Sequence, residues 1–139
     1  MDGLSDAEVA DVLRAARVIA VVGWSPKPDR PSHRVAAYLA ARGHSVIPVN
    51  PGVAGQAALG TVVRASLADI TEPVDMVDIF RRSEEVGPVV TEALTLPGLR
   101  VIWMQLGIVN APAAAEARAR GVTVVMDRCP AIEIPRLGL

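Results

Sequence analysis

Five short apolar runs, most of them rich in β-branched residues, punctuate the chain: Val18–Val22, Ser45–Val49, Val74–Phe80, Arg100–Met104 and Val122–Met126. They begin 22 to 29 residues apart, too far for hairpins and right for strand–helix–strand units. None alternates cleanly between apolar and polar residues, the pattern of strands covered on both faces. Strands that alternate with helices pair in parallel through right-handed crossovers, so this spacing restricts the chain to a parallel α/β sheet.

The segments between the runs read as helices. Ser5-x-x-Glu8 is a capping box, and Val9, Val12, Leu13 and Ala16 follow at helical spacing, so a short amphipathic helix over 5–16 precedes the first strand. Pro31 pre-sets a helix over 32–42, with Val35, Ala36, Leu39 and Ala40 on one face and Gly43 as its stop. Ser83, Glu84 and Glu85 open another helical stretch that Pro88 resets in its first turns. Asn110 caps an Ala-rich helix with Pro112 near its start and Gly121 at its end. The stretch 52–66 is the least periodic and reads as a long connection with room for one short helix. With no internal repeat and no linker, the expectation is one domain over 1–139. Its predicted architecture is a Rossmann-like, doubly wound sheet of about five parallel strands with helices on both faces.

Composition narrows the function classes. A chain of 139 residues, 51% apolar, can bury a proper core. No apolar run approaches the ~20 residues that span a bilayer. The first eight residues are acidic, unlike a secretory signal. Cys129, the one cysteine, can form neither an internal disulfide nor a Cys-rich metal site. A cytoplasmic protein is expected. The net charge of −1 argues against bulk nucleic-acid binding. That average hides an asymmetry: Arg14, Arg17, Lys27, Arg30, Arg34, Arg42 and Arg64 share the interval 14–68 with a single acid, Asp29.

The chemistry concentrates after the first strand, where Gly23-Trp24-Ser25-Pro26-Lys27-Pro28-Asp29-Arg30-Pro31-Ser32-His33-Arg34 runs straight into a helix. Doubly wound folds bind phosphates there, because a helix N-terminus presents unpaired N–H groups and partial positive charge. Gly23 allows a tight turn, Ser25 and Ser32 offer hydroxyls, and Lys27 and Arg30 can reach over an anion. A single glycine is not a dinucleotide fingerprint. The second strand ends in Val49-Asn50-Pro51-Gly52, without the acid that a NAD site places on the ribose hydroxyl. Missing acid and surrounding basic residues suit a ribose that carries its own phosphate, which leaves NADP and coenzyme A (CoA) as candidates. Gly-x-Ser-x-Gly is absent too, since Lys27 stands where the second glycine would be. The other strand ends supply candidate pocket walls. Among them, Phe80, Met104 and Ile108 offer an apolar path and Gln105 and Asn110 polar anchors, while Asp78, Arg81, Arg82 and Asp127–Pro130 complete the rim.

Together these segments resemble the small CoA-binding protein family, a stand-alone relative of the CoA-binding domain of the succinyl-CoA synthetase α-subunit. The resemblance is carried by Ile19-Ala20-Val21-Val22-Gly23-x-Ser25-Pro26-Lys27-x-x-Arg30-x-Ser32, Val46–Pro51, Val77–Arg82, Val101-Ile102-Trp103-Met104-Gln105-x-Gly107-Ile108-x-Asn110 and Val125–Cys129. It implies that the turn from Gly23 through Trp24, Ser25, Lys27 and Arg30 to Ser32 holds CoA phosphates. It further implies that Asn50 and Pro51 border the adenosine half, and that Phe80 with Arg81 and Gln105 with Gly107 and Ile108 flank the pantetheine arm. One departure is Glu133-Ile134-Pro135, where similar proteins carry Glu-His.

The expected activity is binding of CoA or an acyl-CoA without catalysis, because the chain lacks the phosphohistidine and ATP-grasp parts of acyl-CoA synthetases. His33, at a helix start, and His44, on the rim opposite the pocket, read as ordinary polar residues. Cys129 reads as a buried thiol, with a mixed disulfide to the CoA thiol as the alternative. Two further classes stay open: a minimal NADP-dependent oxidoreductase, and the ligand-binding subunit of a larger acyl-CoA ligase assembly. No nucleic-acid or membrane partner is expected.

Overall fold

The computed structural model describes residues 2–139. In chain order it contains α1 (Asp6–Ala15), β1 (Val18–Val22), α2 (Pro31–Ala41), β2 (Ser45–Val49), β3 (Ala57–Ala58), β4 (Thr61–Val62), β5 (Met76–Ile79), α3 (Val86–Ala93), β6 (Val101–Met104), α4 (Ala111–Ala119), β7 (Thr123–Val125) and α5 (Pro130–Arg136). Five strands form one parallel sheet in the order β2-β1-β5-β6-β7. The chain leaves β1 in one direction, through α2 to β2, and returns on the other side as β5. Val21 therefore lies between Pro48 and Asp78, and Val22 between Val49 and Ile79. This β1/β5 boundary is the switch point of a doubly wound sheet, the place where such folds open a crevice.

Both faces are covered, which accounts for the unalternating apolar runs. Ile19, Val21, Val46, Met76, Trp103 and Val125 pack on one side with residues of α1, α2 and α5. Ala20, Val22, Ile47, Val49, Val77, Ile79, Ile102, Met104 and Val124 pack on the other with α3 and α4. The expected capping box is present: Ser5 Oγ accepts from Glu8 N–H at 3.2 Å, and Glu8 Oε1 accepts from Ser5 N–H at 3.0 Å. Asn110 caps α4, its Oδ1 accepting from Ala113 N–H at 3.0 Å. Ser83–Glu85 forms a 3-10 turn before α3 begins at Val86. Among the described residues no helix is long and apolar enough to cross a membrane.

Two elements differ from expectation. The connection over 52–66 holds a 3-10 turn (Pro51–Val53) and also a small hairpin of β3 and β4. Its two-residue turn puts Leu59 and Gly60 at φ +54° and +80°; leucine there disguises a turn that Asn-Gly would have announced. The second is α5, whose seven residues carry prolines at both ends.

A polar strap holds α5 in place. Arg128 Nε donates to Asp2 Oδ2 at 2.9 Å and its Nη1 to Glu133 Oε1 at 2.8 Å. Arg136 then joins Glu133 at 2.7 Å to Asp6 at 2.9 Å. Burial would raise the Asp2 carboxyl, whose side chain is 1% exposed, but hydrogen bonds from Arg128 and from Leu4 and Met126 N–H outweigh it and bring the group down to about 2. A depressed carboxyl contributes stability above its unfolded value and loses it as pH falls through the folded one. Asp2→Asn is therefore expected to cost about 2 kcal/mol at neutral pH. In urea unfolding, the gap to the native chain should close between pH ~4 and ~2.

Candidate functional site

The turn that follows β1 is built around Gly23. Its N–H donates to Val49 O at 3.1 Å, tying the end of β1 to β2, and it sits at φ +86°. A Cβ here would lie 2.3 Å from the Phe80 carbonyl oxygen, so only glycine lets the ends of β1 and β5 come this close. Beyond it the loop is braced from within. Ser25 N–H donates to Ser32 Oγ at 3.0 Å, Lys27 N–H to Ser25 Oγ at 3.2 Å, and Arg30 N–H to Lys27 O at 3.1 Å. His33 Nδ1 donates to Ser25 O at 3.0 Å, and its ring stacks on Trp24 with centroids 5.6 Å apart. Asn50 Nδ2 donates to Trp24 O at 2.8 Å from the β2 side.

This bracing leaves anion-binding groups uncommitted. No side chain caps α2 at Arg30, and its first turn carries no acid. Pro31 has no N–H and His33 N–H turns back to Arg30 O at 3.1 Å, so the Ser32 N–H and the positive end of the helix dipole are what the α2 terminus offers. Among the described residues neither Lys27 nor Arg30 enters an ion pair. Ser32 Oγ accepts one hydrogen bond and retains a proton to donate. Gly23, Ser25, Lys27, Arg30, Pro31, Ser32 and Phe80 line a cleft of about 330 Å³.

Pro31 and Phe80 also line an adjoining cavity of about 960 Å³. One wall is the α2 stripe Pro31, Arg34, Val35 and Tyr38, spaced as residues on one helical face are. Opposite stand Phe80–Glu84, Gln105–Ile108, and Cys129, Ala131 and Ile132 at the start of α5. Gly107, at φ +77°, donates its N–H to Asp127 Oδ1 at 2.7 Å and fixes the β6 rim. Gln105 is only 6% exposed, and its Oε1 is a buried acceptor without a partner. A buried amide oxygen in that condition costs free energy unless something donates to it.

Most of the expected site residues meet here, and some do not. Gly23, Ser25, Lys27, Arg30 and Ser32 line the cleft, while Arg81, Gln105, Gly107 and Ile108 line the larger cavity and Phe80 belongs to both. Trp24, Asn50 and Pro51 line neither. Trp24 is buried in the core below the turn, Asn50 braces that turn, and Pro51 is exposed at the start of a 3-10 turn. Met104, expected on an apolar path, points to the opposite face among α3 and α4. Asn110, expected as an anchor, spends its amide on the α4 cap and on Ser83 O, 2.8 Å away. Of the α2 stripe, Val35 was expected in the core face and Tyr38 was not singled out, and Ala131 and Ile132 went unforeseen with α5.

Asp78 also departs from the expected rim. It lies one layer below, fully buried, two residues before Phe80 and between Val21 and Trp103. Neither carboxyl oxygen has a hydrogen-bond partner, and burial pushes the acid well above the usual carboxylate range. His33 and His44 both engage main-chain carbonyls, His44 Nδ1 meeting Ala16 O at 2.9 Å.

A family model described as a CoA binding domain matches residues 17–135. The chain belongs to that family. An uncharacterized protein of Bacillus subtilis is 41% identical over 129 residues, 93% of each chain. A solved Thermus thermophilus structure is 37% identical with a TM-score of 0.90, covering 96% of this chain and 99% of its own. A hypothetical protein of Pyrococcus horikoshii is 34% identical with a TM-score of 0.92, covering 100% and 96%. A dinucleotide-forming acetyl-coenzyme A synthetase of Ca. Korarchaeum cryptofilum shares the fold alone: 23% identity and a TM-score of 0.63, over 82% of this chain and 26% of that one.

Two consequences are measurable. Gly23→Ala combines left-handed strain with a clash against main chain and is expected to cost about 2–4 kcal/mol in urea unfolding. For Asp78 the folded value is raised, so its favourable neutral form is fully present below the unfolded value and lost as pH rises. Asp78→Asn cannot ionise, and its stability relative to the native chain is expected to climb as pH rises above the ordinary carboxylate range. A difference independent of pH would refute that assignment.

Proposed function

We propose that the chain binds coenzyme A and does so as a binding protein, without catalysing its transformation. The observation that carries this reading is the junction of the two cavities at Phe80: a small cleft lined by unpaired cations and hydroxyls opens into a larger, mainly apolar cavity. CoA has that division, with phosphates at one end and a long, weakly polar arm at the other.

The residues fit such a ligand strand by strand. Phosphates take the Gly23–Ser32 turn, contacting the α2 N-terminus, Lys27 and Arg30. The adenosine half lies toward β2, where Asn50 and Pro51 leave no acid to repel a ribose phosphate. The arm crosses β5 at Phe80 and Arg81 and β6 at Gln105–Ile108, and one of its amide N–H groups supplies the donor that Gln105 Oε1 lacks. Neither histidine lines the cleft or the larger cavity, which argues against a phosphohistidine mechanism within this chain. A cytoplasmic CoA pool is the expected source of the ligand.

Titration calorimetry with CoA, acetyl-CoA, NADP and NAD tests the proposal. CoA is expected to bind saturably, and Arg30→Ala to weaken it about tenfold or more, the loss of one charge-assisted hydrogen-bonded contact. Binding of NADP with silence toward CoA would overturn the reading and favour an oxidoreductase.

A further inference from the structure

Resting on that reading, we propose that Cys129 is a covalent exchange site for the thiol end of the ligand: it takes up one half of CoA disulfide as a mixed disulfide. The strand order supplies the path. The phosphate turn stands on β1, Phe80 follows β5, Gln105 follows β6, and Cys129 follows β7. From β1 to β7 is three inter-strand steps, or about 14 Å. A pantetheine arm, counted as four peptide-like units, extends to roughly 13–14 Å. An arm anchored by its phosphates at β1 and laid across the sheet ends beside β7.

The chain's one thiol is found there. Cys129 lines the 960 Å³ cavity and also a neighbouring one of about 420 Å³, yet is only 6% exposed. Gln105, midway along the path, independently points to a ligand, because its buried Oε1 has no protein donor and its residue lines the same cavity. A thiol so enclosed is screened from reagents in bulk solvent. A disulfide held by its phosphates reaches it at an effective concentration near the millimolar range.

The step is a thiol–disulfide exchange with no other oxidant. Cys129 gives up its proton, and its sulfur attacks one sulfur of CoA disulfide. The S–S bond of the reagent breaks, a Cys129–CoA S–S bond forms, and the other CoA leaves as a thiolate that takes up a proton. Cys129 is oxidised and the leaving CoA is reduced, while the half anchored by its phosphates stays bonded to Cys129.

The test is intact-mass spectrometry under non-reducing conditions, with calorimetry for free CoA on the same preparation. One CoA adduct per chain is expected, reversed by dithiothreitol and absent in Cys129→Ser. It should form at least tenfold faster than the adduct from glutathione disulfide, and excess adenosine 3′,5′-bisphosphate should slow it to the glutathione rate without any mutation. Calorimetric CoA binding without an adduct, or equal rates for the two disulfides, overturns the exchange site and leaves the binding function standing. No CoA binding at all removes the function itself.

Discussion

The approach of the Gly23 backbone to the Phe80 carbonyl governs the upper end of this molecule. Where β1 and β5 part company the sheet must open, and a side chain at residue 23 would wedge the two ends apart. With only hydrogen there, the turn folds flat over β5 and places Ser25, Lys27 and Arg30 around one cleft whose floor is Phe80. The same residue that closes this approach also joins the cleft to the larger cavity. A packing constraint in two strands thereby sets the position of Lys27 and Arg30 at the cleft.

What surrounds that contact is rigid by construction. Ser32, His33 and Asn50 spend hydrogen-bonding capacity on the turn's own backbone, so the loop needs no anion to hold its shape. A preformed loop binds without the entropy cost of ordering itself. Asn50 is thereby a brace alone, Lys27 and Arg30 keep their charges unpaired, and Ser32 both braces the turn and retains a hydroxyl proton to donate.

Sequence reasoning recovered what depends on short-range pattern. Apolar runs at strand–helix–strand spacing, the Ser5–Glu8 capping box and the Asn110 cap each leave a local signal, and each appears where that signal falls. The turn residues were legible for the same reason, because one contiguous segment enters a helix. What escaped depends on facing and on partners. Which face Met104 takes is set by register against β5 and β7, and a shift of one residue would reverse it. That Trp24 lies under the turn, that Asn50 serves as its brace, and that Asp78 sits fully buried one layer below the rim are likewise outcomes of packing. Helix α5 was hidden by its prolines and is held by ion pairs to residues more than 120 positions away, which no window of sequence contains.

Those distant pairs order events during synthesis. Asp2 and Asp6 leave the ribosome before any strand of the sheet, but their partners Arg128 and Arg136 emerge only after all five strands of the parallel sheet have been made. The sheet and the phosphate turn can assemble while the strap is still open. The α5 wall, with Cys129 and Ile132, is then the last part of the cavity to be set in place. A nascent chain at that stage would own a finished turn and an unfinished chamber.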